Sequence, residues 1–139
     1  MLDDLLDFAK DNGVNVKYGR LGKRRGEYRH GHRLIVLNAG MSTALERSTL
    51  AHELGHWHYA DEWTDDPRVF EMRERRANRF AAELLIDPLE YAYAERMLGA
   101  DKVPSLAREL EVATYVVEAY REILRDRRSA PQRRHLRAV

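Results

Sequence analysis

His52-Glu53-Leu54-Gly55-His56 decides the fold of this chain, because it sets one helix and the direction that helix must face. The two histidines are four residues apart. At 100° per residue they lie about 40° apart on one helix face, so both imidazoles reach a single metal ion. Glu53 is turned about 100° from His52, too far to ligate easily but placed to touch a water on that ion. Leu50, Leu54 and Trp57 gather on the opposite side and predict a helix anchored in the core. A Zn²⁺ held by three protein ligands keeps a fourth position for water and lowers its pKa to roughly 7. The adjacent carboxylate then takes the water's proton and passes it to a leaving amine.

The pattern asks for a third ligand, and the next helix supplies candidates. Around Glu74, residues Ala77, Ala81, Leu84 and Leu85 form an apolar stripe, while Arg75, Arg76, Arg79 and Glu83 gather on the far side as the expected solvent face. A carboxylate inside an apolar stripe needs a partner or a metal, so Glu74 is the leading third ligand and Glu71, one turn earlier, the runner-up. An internal salt bridge to an arginine is the structural alternative for Glu74. Small residues at 77, 81 and 82 allow the two helices to approach closely.

Outward from this pair, the pattern predicts an α+β fold. Leu2, Leu5, Leu6 and Ala9 have helical spacing with Asn12-Gly13 as a stop, and Val14, Val16 and Tyr18 alternate as a short half-buried strand. Glu27 to Asn38 reads as a hairpin turning near Gly31, with Leu34-Ile35-Val36-Leu37 as its apolar arm. Ser42 or Thr43 caps the histidine helix, which runs to about Ala60. Further helices are expected at about 70–86, 89–98, 105–111 and 113–126, with Ser105 as a cap. A small N-terminal sheet of about three strands thus packs on a mainly helical body with the histidine helix at its centre. The expectation is one domain over 1–126 and an Arg-rich, disordered tail over 127–139.

Composition narrows the function classes. The chain has 139 residues, 44% hydrophobic and 34% charged, with 24 Lys plus Arg against 23 Asp plus Glu and a net charge of +1. Bulk charge therefore gives no reason to expect direct nucleic-acid binding. There is no cysteine, which removes disulfides, thiol nucleophiles and Cys-ligated zinc, so a metal site must draw on Asp, Glu and the six His. The longest apolar run, Leu34 to Leu37, is far short of the ~20 residues of a membrane helix, and the acidic start Met-Leu-Asp-Asp lacks the basic and apolar regions expected of a signal peptide. Cytoplasmic residence without membrane contact is expected.

With these residues in view, the sequence resembles the ImmA/IrrE family of zinc metallopeptidases. The likeness runs from Ile35-Val36-Leu37-Asn38 through Arg47 and Leu50-Ala51-His52-Glu53-Leu54-Gly55-His56. It continues over Glu74-Arg75-Arg76-Ala77-Asn78-Arg79-Phe80-Ala81-Ala82-Glu83-Leu84-Leu85. The family's second block ends on a proline, and here Pro88 falls one place later, after Asp87. The resemblance implies His52, His56 and Glu74 as ligands of one Zn²⁺ (Mn²⁺ being the alternative) and Glu53 as the general base, as the helical phase also suggests. It further implies a metalloendopeptidase of the kind found in phages and mobile elements. Such an enzyme cleaves a separate helix-turn-helix repressor protein and so relieves repression. The alternative is an anti-repressor or toxin-module partner that acts by protein binding, with the metal structural; a structural site, however, has no use for Glu53.

Other residues read more plainly. His58 is turned about 200° from His56, away from the metal. His30 and His32 flank the hairpin turn and read as exposed, with substrate contact along a sheet edge as the functional alternative, the edge being the Leu34–Leu37 arm or its neighbour. Tyr59, Tyr28 and His30 are the nearest candidates to stabilise an oxyanion, none of them compelling. Tyr91, Tyr93, Tyr115 and Tyr120 fall on later helices and read as packing residues.

Overall fold

The computed structural model describes residues 2–129, and its architecture is α+β. Helix α1 (Leu2–Asp11) precedes strands β1 (Asn15–Gly19), β2 (Gly26–Arg29) and β3 (Leu34–Asn38). Five helices follow: α2 (Thr43–His58), α3 (Pro67–Leu85), α4 (Pro88–Leu98), α5 (Val103–Leu110) and α6 (Thr114–Ser129). The sheet order is β1-β3-β2, with β1 parallel and β2 antiparallel to β3. The apolar arm β3 is therefore the central strand, and of the two expected candidates for an open edge only its neighbour β2 has one. Its Ile35 and Leu37 face α1 and α2, and Val36 is buried as well. Tyr18, expected to be half-buried, is 51% exposed because β1 is the opposite edge.

Two apolar clusters hold the chain together. Leu5, Ala9, Val14, Ile35, Leu37, Leu50 and Leu54 join α1, the sheet and α2. Ala82, Ile86, Tyr91, Leu106, Val116 and Val117 belong to the second, which joins the end of α3 to α4, α5 and α6. Helix α2 belongs to the first through Leu50 and Leu54 and is buried at nearly every position from Arg47 to Gly55. Trp57 does face the first cluster as expected, edge-on to Phe8 with ring centres 6.0 Å apart.

Helix starts follow their caps. The Ser42 side chain accepts from the Leu45 N–H, so Ser42 is the cap of α2. Asp66 and Asp87 cap α3 and α4, each with proline at the next position, where its missing N–H costs nothing. Hence α3 begins at Pro67, earlier than the periodicity suggested. Helix α5 begins at Val103, which places Ser105 inside the helix instead of at its cap. Helix α6 continues to Ser129, so Arg127 and Arg128 are helical; the rest of the expected tail lies outside the described residues. The arginine face of α3 is not a free solvent face, because α6 packs there. Arg75 pairs with Glu122 at 2.8 Å, and Arg79 pairs with Glu122 and Asp126. Among the described residues no helix is long and apolar enough to cross a membrane.

Candidate metal centre

The four residues singled out by spacing converge at the contact between α2 and α3. His52 and His56 stand one turn apart with their Nε2 atoms 3.1 Å from each other. Glu74 Oε2 lies 2.7 Å from His56 Nε2 and 3.4 Å from His52 Nε2. Two ligands on a tetrahedral Zn²⁺ with bonds of ~2.0–2.1 Å stand roughly 3.3 Å apart, so the donor set fits one ion with small shifts. Among the described residues His52, His56 and Glu74 form a group that could hold a metal. Glu71, the runner-up, is exposed and outside that group.

The reason α3 comes this close is Gly55. A Cβ there would stand 3.0 Å from the Ala77 Cα and 3.2 Å from its Cβ and carbonyl oxygen. Glycine opposite alanine lets two helix backbones nearly touch, and Glu74, three residues before Ala77, is thereby carried to the histidines. Glu74 differs from expectation in its surroundings: its side chain is 37% exposed, opening onto a cleft instead of lying in an apolar stripe.

Two residues not singled out as ligands or base orient the imidazoles. His52 Nδ1 is 2.7 Å from Asn78 Oδ1, and His56 Nδ1 is 2.9 Å from Asp61 Oδ2. When each Nδ1–H donates to its oxygen, each Nε2 lone pair is turned toward Glu74, as metal ligation requires. Asn78 is one turn after Glu74 on α3. Asp61 is reached through Ala60, whose φ of 53° folds the chain back so that the Asp61 N–H donates to the His56 carbonyl at 2.9 Å. Arg76 holds the other Asp61 oxygen at 2.6 Å.

Charge is tightly coupled here. Burial opposes a proton on His56, but hydrogen bonds to Glu74 and Asp61 outweigh it and raise its pKa to about 9. Burial likewise pushes Glu74 up, and its bonds to His52 and His56 reverse that, bringing it down to about 2. Glu53 is different. It is buried, with Oε2 3.9 Å from His52 Nε2, and desolvation raises its pKa, so this carboxylate has a greater appetite for a proton than an exposed one. Its stem lies against β2, where a Cβ on Gly26 would approach Glu53 Cγ to 3.4 Å and Thr49 Cγ2 to 2.7 Å.

The group opens into a cleft of about 1070 Å³. One wall is β2 with the preceding Lys23, Arg24 and Arg25; the other is the Asp61–Thr64 segment and the first half of α3. Tyr115, read from sequence as packing, lines this cleft, its ring edge-on to His52 with centres 6.2 Å apart. No period in the sequence relates α6 to α2, so nothing local could have found it. Tyr28 and His30 also line the cleft, bonded to each other at 2.9 Å. Tyr59 lies outside it, under the Arg76 guanidinium at 4.0 Å. His58 is exposed against Phe80, away from the ligand group.

Compared with known families, residues 9–121 match the one described as Peptidase_M78, IrrE N-terminal-like domain. No curated protein matches the chain.

Proposed function

The chain belongs to the IrrE N-terminal-like peptidase family, and on that premise we propose that it is a zinc-dependent endopeptidase that cuts a helix-turn-helix repressor at a defined site and relieves repression. The observation that carries the reading is the division of labour at the contact of α2 with α3. Three donor atoms converge on a point suited to a metal, while the neighbouring Glu53 stays out of that group, buried and proton-seeking. His52, His56 and Glu74 would hold the ion. Bound there, Zn²⁺ supplies Lewis-acid activation of water and of the substrate carbonyl. Glu53 accepts the proton of the attacking water at its carboxylate and delivers it to the leaving amine. Asn78 and Asp61 keep the two imidazoles in the ligating tautomer. Tyr115 is the α6 side chain in the cleft, and its hydroxyl, kept protonated by burial, is available to donate to the carbonyl under attack. The repressor as substrate, one zinc as the metal and action in the cytoplasm rest on the family likeness and the chain's composition.

The decisive experiment mixes the metal-loaded protein with the helix-turn-helix protein encoded nearest to it. One discrete cut is expected, abolished by a chelator. Glu53→Gln should keep its metal and its fold while losing about 10²–10⁴-fold in rate, because only the general base is removed. Cleavage by that variant at the unaltered rate overturns the mechanism. Relief of repression with the repressor intact, and unaffected by chelation, overturns the enzyme reading in favour of sequestration.

A further inference from the structure

The cleft has two chemically different ends. Asn78 meets His52 and Glu74 meets His56, so α3 runs antiparallel to α2 at the site. Phe70, one turn before Glu74 on the same face, therefore lies past the His56 end. Trp63 lines the cleft from the segment that follows α2 and Asp61, which places it at that end as well. These rings are 56% and 86% exposed, a large apolar area to leave in water beside a site. Asp65, Asp66 and Glu71 line the adjoining groove with Phe70. The other end is cationic. The Arg25 guanidinium stands 6.0 Å from the centre of the Tyr115 ring, which is itself edge-on to His52. Lys23 and Arg24 lie on the same wall. Arg24 is matched by Glu27 at 3.5 Å, whereas among the described residues Lys23 and Arg25 have no carboxylate partner.

We propose that this cleft reads charge along its length, selecting a peptide with an acidic residue on one side of the cut bond, met by Arg25 and Lys23, and a bulky apolar residue on the other, met by Trp63 and Phe70. The inference rests on the peptidase reading and names its substrate class. Cations facing a half-enclosed cleft attract an acidic side chain and raise the encounter rate, while the carboxylates near Phe70 repel the same acid from the wrong end and so set the direction of binding. Apolar side chains gain by covering Trp63 and Phe70.

The test uses the metal-loaded protein and a random dodecapeptide mixture, with cut sites read by mass spectrometry. Asp and Glu should be enriched within a few residues of the cut on one side, and Leu, Met, Phe or Trp on the other. The double variant Lys23→Glu, Arg25→Glu should cut acid-bearing peptides about tenfold less well and favour Lys or Arg at those positions. Trp63→Ala should raise KM about fivefold with little change in kcat. In parallel, immobilised Glu53→Gln protein is offered acid-biased and base-biased pools of the same peptides, and should retain the acid-biased pool. Cut sites without acidic enrichment, or an enrichment that survives charge reversal, overturn the proposal and leave the peptidase reading intact. Retention of the acid-biased pool with no cutting by the unaltered protein overturns the peptidase reading and leaves the polarity standing.

Discussion

Asp61 shows how much a single side chain decides in this site. It is buried, accepts from His56 and is itself held by Arg76, with Arg73 Nε 3.5 Å away. A carboxylate behind a ligating histidine fixes the ring and makes it a stronger donor, and losing such a partner typically weakens metal binding 10–100-fold. Asp61→Asn should do so here, measured by competition with a chromophoric chelator. Glu74→Gln should be worse, since it replaces an anionic ligand by a neutral, weaker one. Glu71→Gln should change nothing, because Glu71 is exposed and outside the ligand group. A larger loss from Glu71→Gln than from Glu74→Gln would reassign the third ligand. The His52, Glu53, His56 and Glu74 arrangement was legible because helical phase relates residues within an element. Asp61 was not, because a left-handed residue in a turn, not a period, brings it back to His56.

At the scale of elements, the contact of α2 with α3 is the part on which the site depends. Gly55 faces the backbone of Ala77, and backbone atoms of a helix cannot give way as a flexible side chain can. Gly55→Ala should therefore push the helices apart despite the better helix propensity of alanine. The expected cost is about 1–3 kcal/mol in a urea titration. Metal affinity should fall as well, although no ligand is touched, because Glu74 moves with α3. Adding Ala77→Gly removes the Cβ contact but leaves those to the Cα and the carbonyl oxygen, so only partial rescue is expected. An unaltered affinity in Gly55→Ala would show that α3 is positioned by something else. Small residues at 77, 81 and 82 permit a close approach, and Ala77, Ala81 and Ala82 are buried. Their counterpart on α2 stands inside the metal motif, where it draws attention as part of a pattern instead of as a contact.

Across the whole molecule, α2 also joins the candidate metal centre to the C-terminal helices. Arg47 donates to the Glu111 carbonyl at 2.6 Å, and the buried Ser48 hydroxyl accepts from the Ala113 N–H at 2.8 Å. These bonds clamp the turn between α5 and α6, where Glu111 takes a left-handed conformation, and so place Tyr115 over His52. Ser48→Ala leaves a backbone N–H without its partner in the interior, which costs about 1–3 kcal/mol. Thermal or urea unfolding should record that loss. If Tyr115 contributes to turnover, kcat should also fall while metal content stays constant. Stability and kcat both unchanged would mean that the turn is held by packing alone.

What the sequence determined by itself was the chemistry of α2 and α3 taken one at a time: which residues are ligand types, which share a face, where α2 is capped, and that an α+β fold carries them. Those properties are local, set by helical period, capping and side-chain type. The tertiary structure alone decided that β2 is the edge strand at the cleft, that α6 covers the arginine face of α3, and that Asp61, Asn78 and Tyr115 stand around the histidines. It also decided that Glu74 opens onto a cleft. Each of these depends on how separate segments pack, or for Asp61 on the left-handed turn that follows α2, and no spacing within one element encodes which groups meet.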